Sequence, residues 1–180
     1  MPCCGYEIVK RIHFGSLFDS YIHYGITKEE FDPEKVKHYR DALDKWENAS
    51  YIRKPSGFWG SHEDEDPKKC LTWKVWCEAE DFHVDRLDRW MSFRVKKNAR
   101  IIRIEKKEDM KPFLTKKNDW DVWDTYGYLN QDLVRNIADG MELYHGYGGC
   151  NYEELHFCLC NAWDVDSICV WNPDVLEVVE

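Results

Sequence analysis

The sequence has no long hydrophobic run. Its 180 residues contain no stretch of about 18 consecutive apolar side chains, the length that a membrane-spanning helix needs. The first residues resemble neither a signal peptide nor a transit peptide, and Pro2 stands where N-myristoylation requires glycine. We therefore expect a cytoplasmic protein without a membrane anchor.

Several motifs that identify common enzyme classes are also absent. No GxGxxG sequence follows a predicted strand and no GxxxxGK[ST] sequence occurs, which argues against a Rossmann dinucleotide site and a P-loop. The GxSxG motif of α/β-hydrolases and the HExxH motif of zinc proteases are missing as well. The common hydrolase and nucleotide-binding classes are therefore not predicted.

Basic residues are outnumbered by acidic ones. The chain carries 25 Lys and Arg against 34 Asp and Glu, a formal net charge of −9. Proteins that bind duplex DNA or RNA rely on a basic surface, so duplex nucleic acid is not an expected partner. The four consecutive acids at residues 63–66 are typical of a solvated loop, with a cation site as the alternative.

Metal-ligand spacing is missing too. The eight cysteines include the adjacent Cys3 and Cys4 and the alternating Cys158 and Cys160, but no pair has the CxxC spacing of structural zinc sites. Because no secretory signal is recognisable, we expect reduced thiols and no bound metal.

Core-forming residues, by contrast, are plentiful. Of the chain, 43% is hydrophobic and 15% aromatic, which argues against disorder, and the length predicts a single domain over residues 1–180. Helical spacing occurs at residues 33–48, 68–82 and 130–137, with a short helix ended by Pro112. Strands are predicted at residues 6–14, 58–61, 91–97 and 99–106, within 139–149, and on both sides of a turn at Asn172-Pro173; residues 15–32 are predicted as a loop.

The order of these elements predicts an α+β fold. Strands are not regularly separated by helices, so a mainly antiparallel sheet flanked by helices is favoured over a doubly wound parallel sheet. Residues 91–97 and 99–106 form either a hairpin or two strands joined by a short bend.

Three short segments carry the candidate functional residues. The first contains His13, Phe14, Gly15 and Ser16; the second contains Trp59 and Ser61, followed by a predicted helix with Trp73; the third contains Asp164, Asp166 and Ser167 ahead of Asn172-Pro173. In this order the segments resemble the motifs of ADP-ribosyltransferases of the diphtheria-toxin and poly-ADP-ribose polymerase class. The resemblance implies that the sheet is split and that NAD binds to it as a substrate.

The resemblance also implies roles for individual residues. In that class a His binds a ribose hydroxyl of NAD, a nearby glycine backbone grips the nicotinamide amide, and an aromatic ring stacks on the nicotinamide. His13, Gly15 and Trp59 take these positions, although Phe14 separates the His from the Gly. The catalytic Glu of the last motif strand corresponds to Ser167 by strict offset and to Asp166 by a slip of one residue. Divergent relatives, some encoded by phages, use Asp there.

Chemistry favours the same residue types. Cleavage of the bond between nicotinamide and ribose produces an oxocarbenium-like ribose, as glycoside cleavage does. A carboxylate offsets the developing positive charge, an aromatic wall receives the departing ring, and a polar group fixes the ribose. Asp166, Trp59 and His13 are suited to these roles, and Asp164 competes with Asp166 for the first.

The sequence therefore predicts an NAD-dependent mono-ADP-ribosyltransferase that modifies a host or partner macromolecule, as a phage or bacterial effector would in a host cytoplasm. Residues 8–14, 57–61 and 167–171 are expected to be strands that line one cleft. A second His-Gly pair, His145-Gly146, is expected on the loop where a protein acceptor docks. Two alternatives remain open: a catalytically inactive relative, and an acidic, aromatic module that binds and inhibits a partner protein.

Overall fold

The computed structural model describes residues 12–36, 57–62, 72–115, 128–144 and 165–179. The strands are β1 (Tyr21–Tyr24), β2 (Phe58–Ser61), β3 (Trp90–Val95), β4 (Ile101–Ile104), β5 (Leu114–Thr115), β6 (Tyr128–Leu129), β7 (Gly140–Leu143), β8 (Ser167–Val170) and β9 (Leu176–Val178). The α-helices are α1 (Trp73–Glu80), α2 (Lys107–Met110) and α3 (Gln131–Ile137). Short 3₁₀ helices occupy Lys28–Glu30, Val84–Arg86, Lys111–Phe113 and Pro173–Val175.

Within the described residues, seven strands form one mixed sheet in the order β4-β7-β8-β2-β1-β3-β9. Neighbouring strands are antiparallel except β4 and β7, which run parallel. The short strands β5 and β6 pair with each other in a second sheet. The architecture confirms the α+β class.

The large sheet is strongly curved. Strands β3 and β4 are five positions apart in it, which is about 24 Å across a flat sheet. Residues 96–100 connect them, and so short a linker reaches about 20 Å at most when fully extended. The linker is not extended either, because the Ala99 amide donates to the Lys96 carbonyl at 2.9 Å in a tight turn. The sheet must therefore curl to bring β3 and β4 together.

Capping side chains fix where the helices begin. The Thr72 hydroxyl accepts a hydrogen bond from the Val75 amide at 3.3 Å at the start of α1, and the Asn130 side chain accepts one from Leu133 at 3.0 Å at the start of α3. Such caps satisfy backbone donors that have no partner in the first helical turn. Both helices were predicted, and α1 is shorter than the predicted 68–82.

Each face of the sheet has its own hydrophobic core. On the α3 face, Ile102, Met141 and Cys169 pack against Val134 of α3 and Phe113. On the opposite face, here called the Tyr21 face, the core contains Tyr21, Phe58, Met91, Phe93, Ile168 and Val170. Because successive side chains of a strand point to opposite faces, β2 and β8 contribute to both cores. The central strands are consequently covered on both sides.

The structure corrects the predicted beginning of the chain. Residues 12–14 were assigned to a strand, but Phe14 makes only an isolated bridge to Ile102, and residues 6–11 lie outside the described residues. Gly15 has φ +131°, a conformation that side-chain-bearing residues rarely adopt, and it turns the chain away from β4. Among the described residues, the first strand of the sheet is β1, which lies within the predicted loop at residues 15–32.

The structure also decides between two interpretations of residues 91–106. Both predicted strands exist, as β3 and β4, but they do not pair as a hairpin. Strand β3 pairs with β1 and β9, whereas β4 pairs with β7. The interpretation as two strands joined by a short bend is the one that agrees with the sheet.

Gly60 allows aromatic rings to cross the middle of the Tyr21 face. A Cβ atom at this position would lie 2.6 Å from Cε1 of Phe93 and 2.9 Å from Cβ of Tyr21. Both side chains are buried, so neither can move aside without disturbing the core. We expect Gly60→Ala to lower the free energy of unfolding by about 1–3 kcal/mol, measured by urea denaturation. An unchanged transition midpoint would contradict this packing.

Candidate functional site

Polar side chains collect at one edge of the large sheet. Strands β2 and β7 end at this edge, and β1 and β8 begin there, because each pair of neighbours is antiparallel. We use the term polar edge for Tyr21, His62, Arg103, Glu142 and Asp166. The ring of Phe18 covers it, stacked on His62 with ring centroids 3.4 Å apart and tilted against Tyr144 at 5.5 Å.

Glu142 is the central residue of the polar edge. It is 1% exposed, yet both of its carboxylate oxygens have donors: the Tyr21 hydroxyl at 2.5 Å and the Leu17 amide at 2.7 Å. Burial raises the pKa of Glu142 to about 7, and the nearby charge of Asp166 acts in the same direction. A carboxyl group with such a pKa can exchange a proton near neutral pH, which is why such groups are candidates for functional sites.

The neighbours of Glu142 divide into those that favour its charge and those that oppose it. Arg103 lies directly beside it in the β4–β7 register, and its positive charge favours the ionised carboxylate. The guanidinium also forms an ion pair with Glu105. Burial and the adjacent carboxylate together raise the pKa of the Tyr21 hydroxyl well above its usual range. Tyr21 therefore acts as a hydrogen-bond donor and stays protonated at any physiological pH.

Sequence reasoning missed Glu142. Its strand was predicted, but an acidic residue between Met141 and Leu143 drew no attention, although all four residues of β7 are buried. The signal that could have found it is a single Glu at an apolar position of a strand, because buried carboxylates need partners. Its main partner, Tyr21, lies 121 positions away in the sequence.

Two of the three predicted motif segments are neighbours in the sheet. Strand β2 pairs with β8 so that Trp59 lies opposite Cys169 and Ser61 lies opposite Ser167. The Ser61 hydroxyl accepts a hydrogen bond from the Trp73 amide at 2.8 Å, which ties the start of α1 to the end of β2. The Ser167 hydroxyl donates to the Val165 carbonyl at 3.0 Å.

The other predicted residues are more dispersed. His13 is exposed beside β4, with β7 and β8 between β4 and β2, and Phe14 contacts Arg100 at 4.8 Å. Ser16 lies near the polar edge, where it lowers the pKa of Tyr21 slightly against the larger effects of burial and Glu142. Asp166 is 1% exposed. Asp164 and the pair His145-Gly146 lie outside the described residues.

A second histidine, unlike His13, lies next to β2. His23 is in β1, and its Nδ1 donates to the Trp59 carbonyl at 2.6 Å, while the imidazole stacks on Phe58 with centroids 4.2 Å apart. Burial lowers the pKa of His23, so the ring is neutral at pH 7 and its Nε2 keeps a lone pair. That atom can accept a hydrogen bond from a ligand hydroxyl.

The spacing around His23 was visible in the sequence. His23-Tyr24-Gly25 has the same one-residue gap as His13-Phe14-Gly15. Gly25 has φ +99°, so glycine is needed there, and its amide donates to the Arg89 carbonyl at 2.8 Å. Because the sequence pattern of residues 15–32 predicts a loop, it gives no reason to place this spacing on a strand.

Strands β1 and β2 separate just where His23 lies. The register between them contains a single pair, Ile22 with Ser61, whereas β1 and β3 share four pairs. The Trp59 carbonyl bonds with the His23 ring. The imidazole lies on the Tyr21 face with Phe58, and the Trp59 indole packs on the α3 face. The ring wall beside His23 is therefore Phe58.

A groove of about 540 Å³ opens next to the polar edge, in the size range of small-molecule sites. It lies on the side of β1 and β3 that faces away from Tyr21 and Phe93. There the exposed Trp90 and Arg94 offer an aromatic ring and a positive charge. Its lining consists of Phe18, Asp19, Ser20, Ile22, His62, Trp90, Ser92, Arg94 and Val179. Phe18 and His62 connect the groove with the polar edge.

In the described parts of the chain, no three His, Cys, Asp or Glu side chains are grouped to hold a metal ion, and no helix is long and apolar enough to cross a membrane. Cys77 and Cys169 are buried and reduced, and the other six cysteines lie outside the described residues. No protein-family model, curated protein or solved structure matches the chain.

Proposed function

We propose that this protein is an NAD-dependent mono-ADP-ribosyltransferase that modifies a host or partner macromolecule and releases nicotinamide. The observation that carries the proposal is the placement of His23. Where β1 and β2 separate, the Nδ1 of the neutral His23 imidazole donates a hydrogen bond to the Trp59 carbonyl. The Nε2 atom can then accept a hydrogen bond from a ribose hydroxyl. The separation of β1 from β2 supports the split sheet implied by the resemblance.

The proposal moves the first motif from His13 to His23. Strand β1 is next to β2, and β2 is next to β8, so His23, Trp59 and Ser167 lie on three adjacent strands. Gly25 follows His23 at the same spacing as Gly15 follows His13. Its positive φ of +99° requires glycine, the residue type that the motif has at this position. Trp59 then contributes its carbonyl to His23, and its indole is available only to a ligand on the α3 face.

The proposed reaction breaks the bond between the nicotinamide nitrogen and C1′ of the ribose. The bonding electron pair leaves with nicotinamide, which departs as a neutral molecule. A nucleophile of the acceptor then forms a bond to C1′ and gives its proton to a base or to water. A carboxylate next to the oxocarbenium-like ribose lowers the barrier. Asp166, immediately before β8, is the residue proposed for this role.

A second function, inhibition of a partner protein without catalysis, is favoured by the burial of the candidate catalytic carboxylates. Ser167 stands at the strict position of the catalytic Glu, and the two carboxylates of the polar edge, Asp166 and Glu142, are each 1% exposed. A ribose would reach them only after part of this edge opens. A catalytically inactive protein that binds and inhibits a partner would need no such opening.

Incubation with labelled NAD and a cell lysate tests the proposal directly. We expect transfer of label to one or a few proteins, located by mass spectrometry, together with release of nicotinamide. The heat-denatured protein is the control for chemical attachment of ADP-ribose. Absence of both label transfer and nicotinamide release would favour the inactive, partner-binding alternative.

The two candidate histidines are separated by a matched pair of variants. We expect His23→Ala to weaken NAD binding about tenfold, since it removes one hydrogen bond to the ribose, and to change the rate at saturating NAD less. His13→Ala should leave NAD binding within about twofold of the wild type, because its side chain is exposed beside β4.

Isothermal titration with NAD measures both affinities, and thermal melting confirms that His23→Ala is folded. Weaker binding by His13→Ala, with normal binding by His23→Ala, would return the motif to His13.

A further inference from the structure

Helix α1 and the turn after it carry a group of large apolar side chains, two of them half-buried and two exposed. We use the term aromatic ridge for Trp73, Trp76, Phe82 and Val84. Phe82 is 41% exposed and Val84 is 42% exposed. Large exposed apolar groups that are rimmed by charge are typical of surfaces that bind another molecule.

The three aromatic rings of the ridge, those of Trp73, Trp76 and Phe82, contact one another. Trp73 and Trp76 are stacked with centroids 5.1 Å apart, and the edge of Phe82 packs against both, at 6.0 Å and 5.4 Å. The indole of Trp73 thus lies with Trp76 and Phe82, although the sequence suggested a role in NAD binding. Trp73 and Trp76 are half-buried, and the exposed ring of Phe82 also contacts the His83 ring, with centroids 4.2 Å apart.

The backbone holds the aromatic ridge in one shape. Helix α1 ends at Asp81, which has the left-handed φ of +51°, and the Phe82 amide returns to the Cys77 carbonyl at 2.9 Å. His83 is also left-handed, with φ +50°. Asp81 and His83 thus have left-handed backbone conformations on either side of Phe82, which is costly for residues other than glycine. These conformations keep the Phe82 ring against Trp76. A partner would therefore meet a preformed surface.

Negative charge surrounds the aromatic ridge. Residues 73–88 contain five carboxylates, those of Glu78, Glu80, Asp81, Asp85 and Asp88, and two basic side chains, those of Lys74 and Arg86. All seven of these residues are exposed. The next basic residue, Arg89, is already engaged in an ion pair with Glu30 at 2.5 Å.

We propose that the aromatic ridge docks an arginine- and lysine-rich segment of a partner protein. Guanidinium and ammonium groups bind over the faces of Trp and Phe rings, and the acidic rim attracts the same groups. The rim repels the phosphates of nucleic acids and of anionic membranes, so those surfaces do not fit. The inference goes beyond the proposed transferase activity and does not require it.

Binding of a basic peptide, without NAD, tests the proposal. The probe is a synthetic peptide of alternating Arg-Lys and Gly-Ser pairs, followed by tryptophan fluorescence and by isothermal titration at about 50 mM salt, where charge attraction is weakly screened. We expect saturable binding that weakens several-fold as the salt concentration rises. No saturable binding by the wild-type protein would overturn the proposal.

Matched charge variants separate docking from general attraction to an acidic chain. The ridge variant Glu80→Gln, Asp81→Asn, Asp85→Asn is expected to weaken binding about tenfold. The control variant Asp132→Asn, Asp174→Asn, Glu177→Gln removes the same charge from other exposed positions and should stay within about twofold of the wild type. Equal losses in the two variants would overturn the proposal.

The aromatic part is tested by Phe82→Ala. Its exposed ring can be removed without opening the core, and we expect binding to weaken about fivefold. Unchanged binding would overturn the part of the proposal that assigns the cation to the ring faces. Because every assay omits NAD, a protein without transferase activity can still bind the peptide, so the two proposals fail independently.

Discussion

We expect Asp166→Asn to lower NAD-dependent transfer by about 10²–10³-fold, the usual loss when one electrostatic partner of a transition state is removed. Asparagine keeps the shape of the side chain but not its negative charge, so it does not offset the positive charge of the ribose. Binding of NAD in the ground state should change much less, because positive charge moves onto the ribose only as the bond to nicotinamide breaks. Single-turnover rates at saturating NAD measure the loss.

Two companion variants locate the catalytic position. Ser167→Ala removes a hydroxyl that donates to the Val165 carbonyl, and we expect most of the activity to remain. Full activity in Asp166→Asn, combined with its loss in Asp164→Asn, would show that the assigned strand register is wrong by two residues. If none of the three variants reduced any NAD-dependent activity, the site assignment would fail and the partner-binding alternative would replace it.

Asp166→Asn has a second readout that does not depend on catalysis. The charge of Asp166 contributes to the raised pKa of Glu142. We expect the variant to titrate Glu142 at lower pH than the wild type does, as followed by NMR of its side-chain carboxyl carbon. This shift shows that the substituted side chain occupies the same place in a folded protein, so a loss of activity can be attributed to chemistry.

We expect Glu142→Gln to become more stable relative to the wild type as the pH rises, by about 3 kcal/mol between pH 4.5 and pH 7. In this window the unfolded chain has already lost the Glu142 proton, while the folded protein still holds it. The folded state therefore binds more protons, and the free energy of unfolding of the wild type falls as the pH rises. The glutamine side chain does not titrate, so the variant lacks this contribution.

Urea denaturation at a series of pH values measures this difference. The introduced glutamine can keep both hydrogen bonds, since its oxygen can accept from the Leu17 amide and its amide group can donate to the Tyr21 hydroxyl. Glu177→Gln, at an exposed position of β9, is the matched control and should follow the wild-type pH dependence. A constant difference between Glu142→Gln and the wild type across the range would contradict the raised pKa.

Much of the local structure was predictable because it depends on neighbours in the chain. Alternating side chains identify β3 and β4, the residues from Asn130 onward have helical spacing that identifies α3, and Pro112 ends the short helix α2. The left-handed positions at Gly15 and Gly25 need glycine for steric reasons alone. Each of these features depends on a few consecutive residues, which is the range over which sequence patterns are informative.

The arrangement of the candidate site was decided by the tertiary structure. Strand β1 has four residues without alternating polarity, so nothing local separates it from a loop, and only its pairing with β3 and β2 makes it a strand. The same pairing places His23 next to β2, whereas His13 lies beside β4, although the local spacing of the two histidines is identical. Glu142 acquires its raised pKa only when folding buries it against Tyr21, 121 positions away. The sequence by itself determined which residue types are present and where most strands and helices form, because those depend on local patterns. The fold alone decided which of them meet, because strand order in the sheet depends on contacts between distant segments.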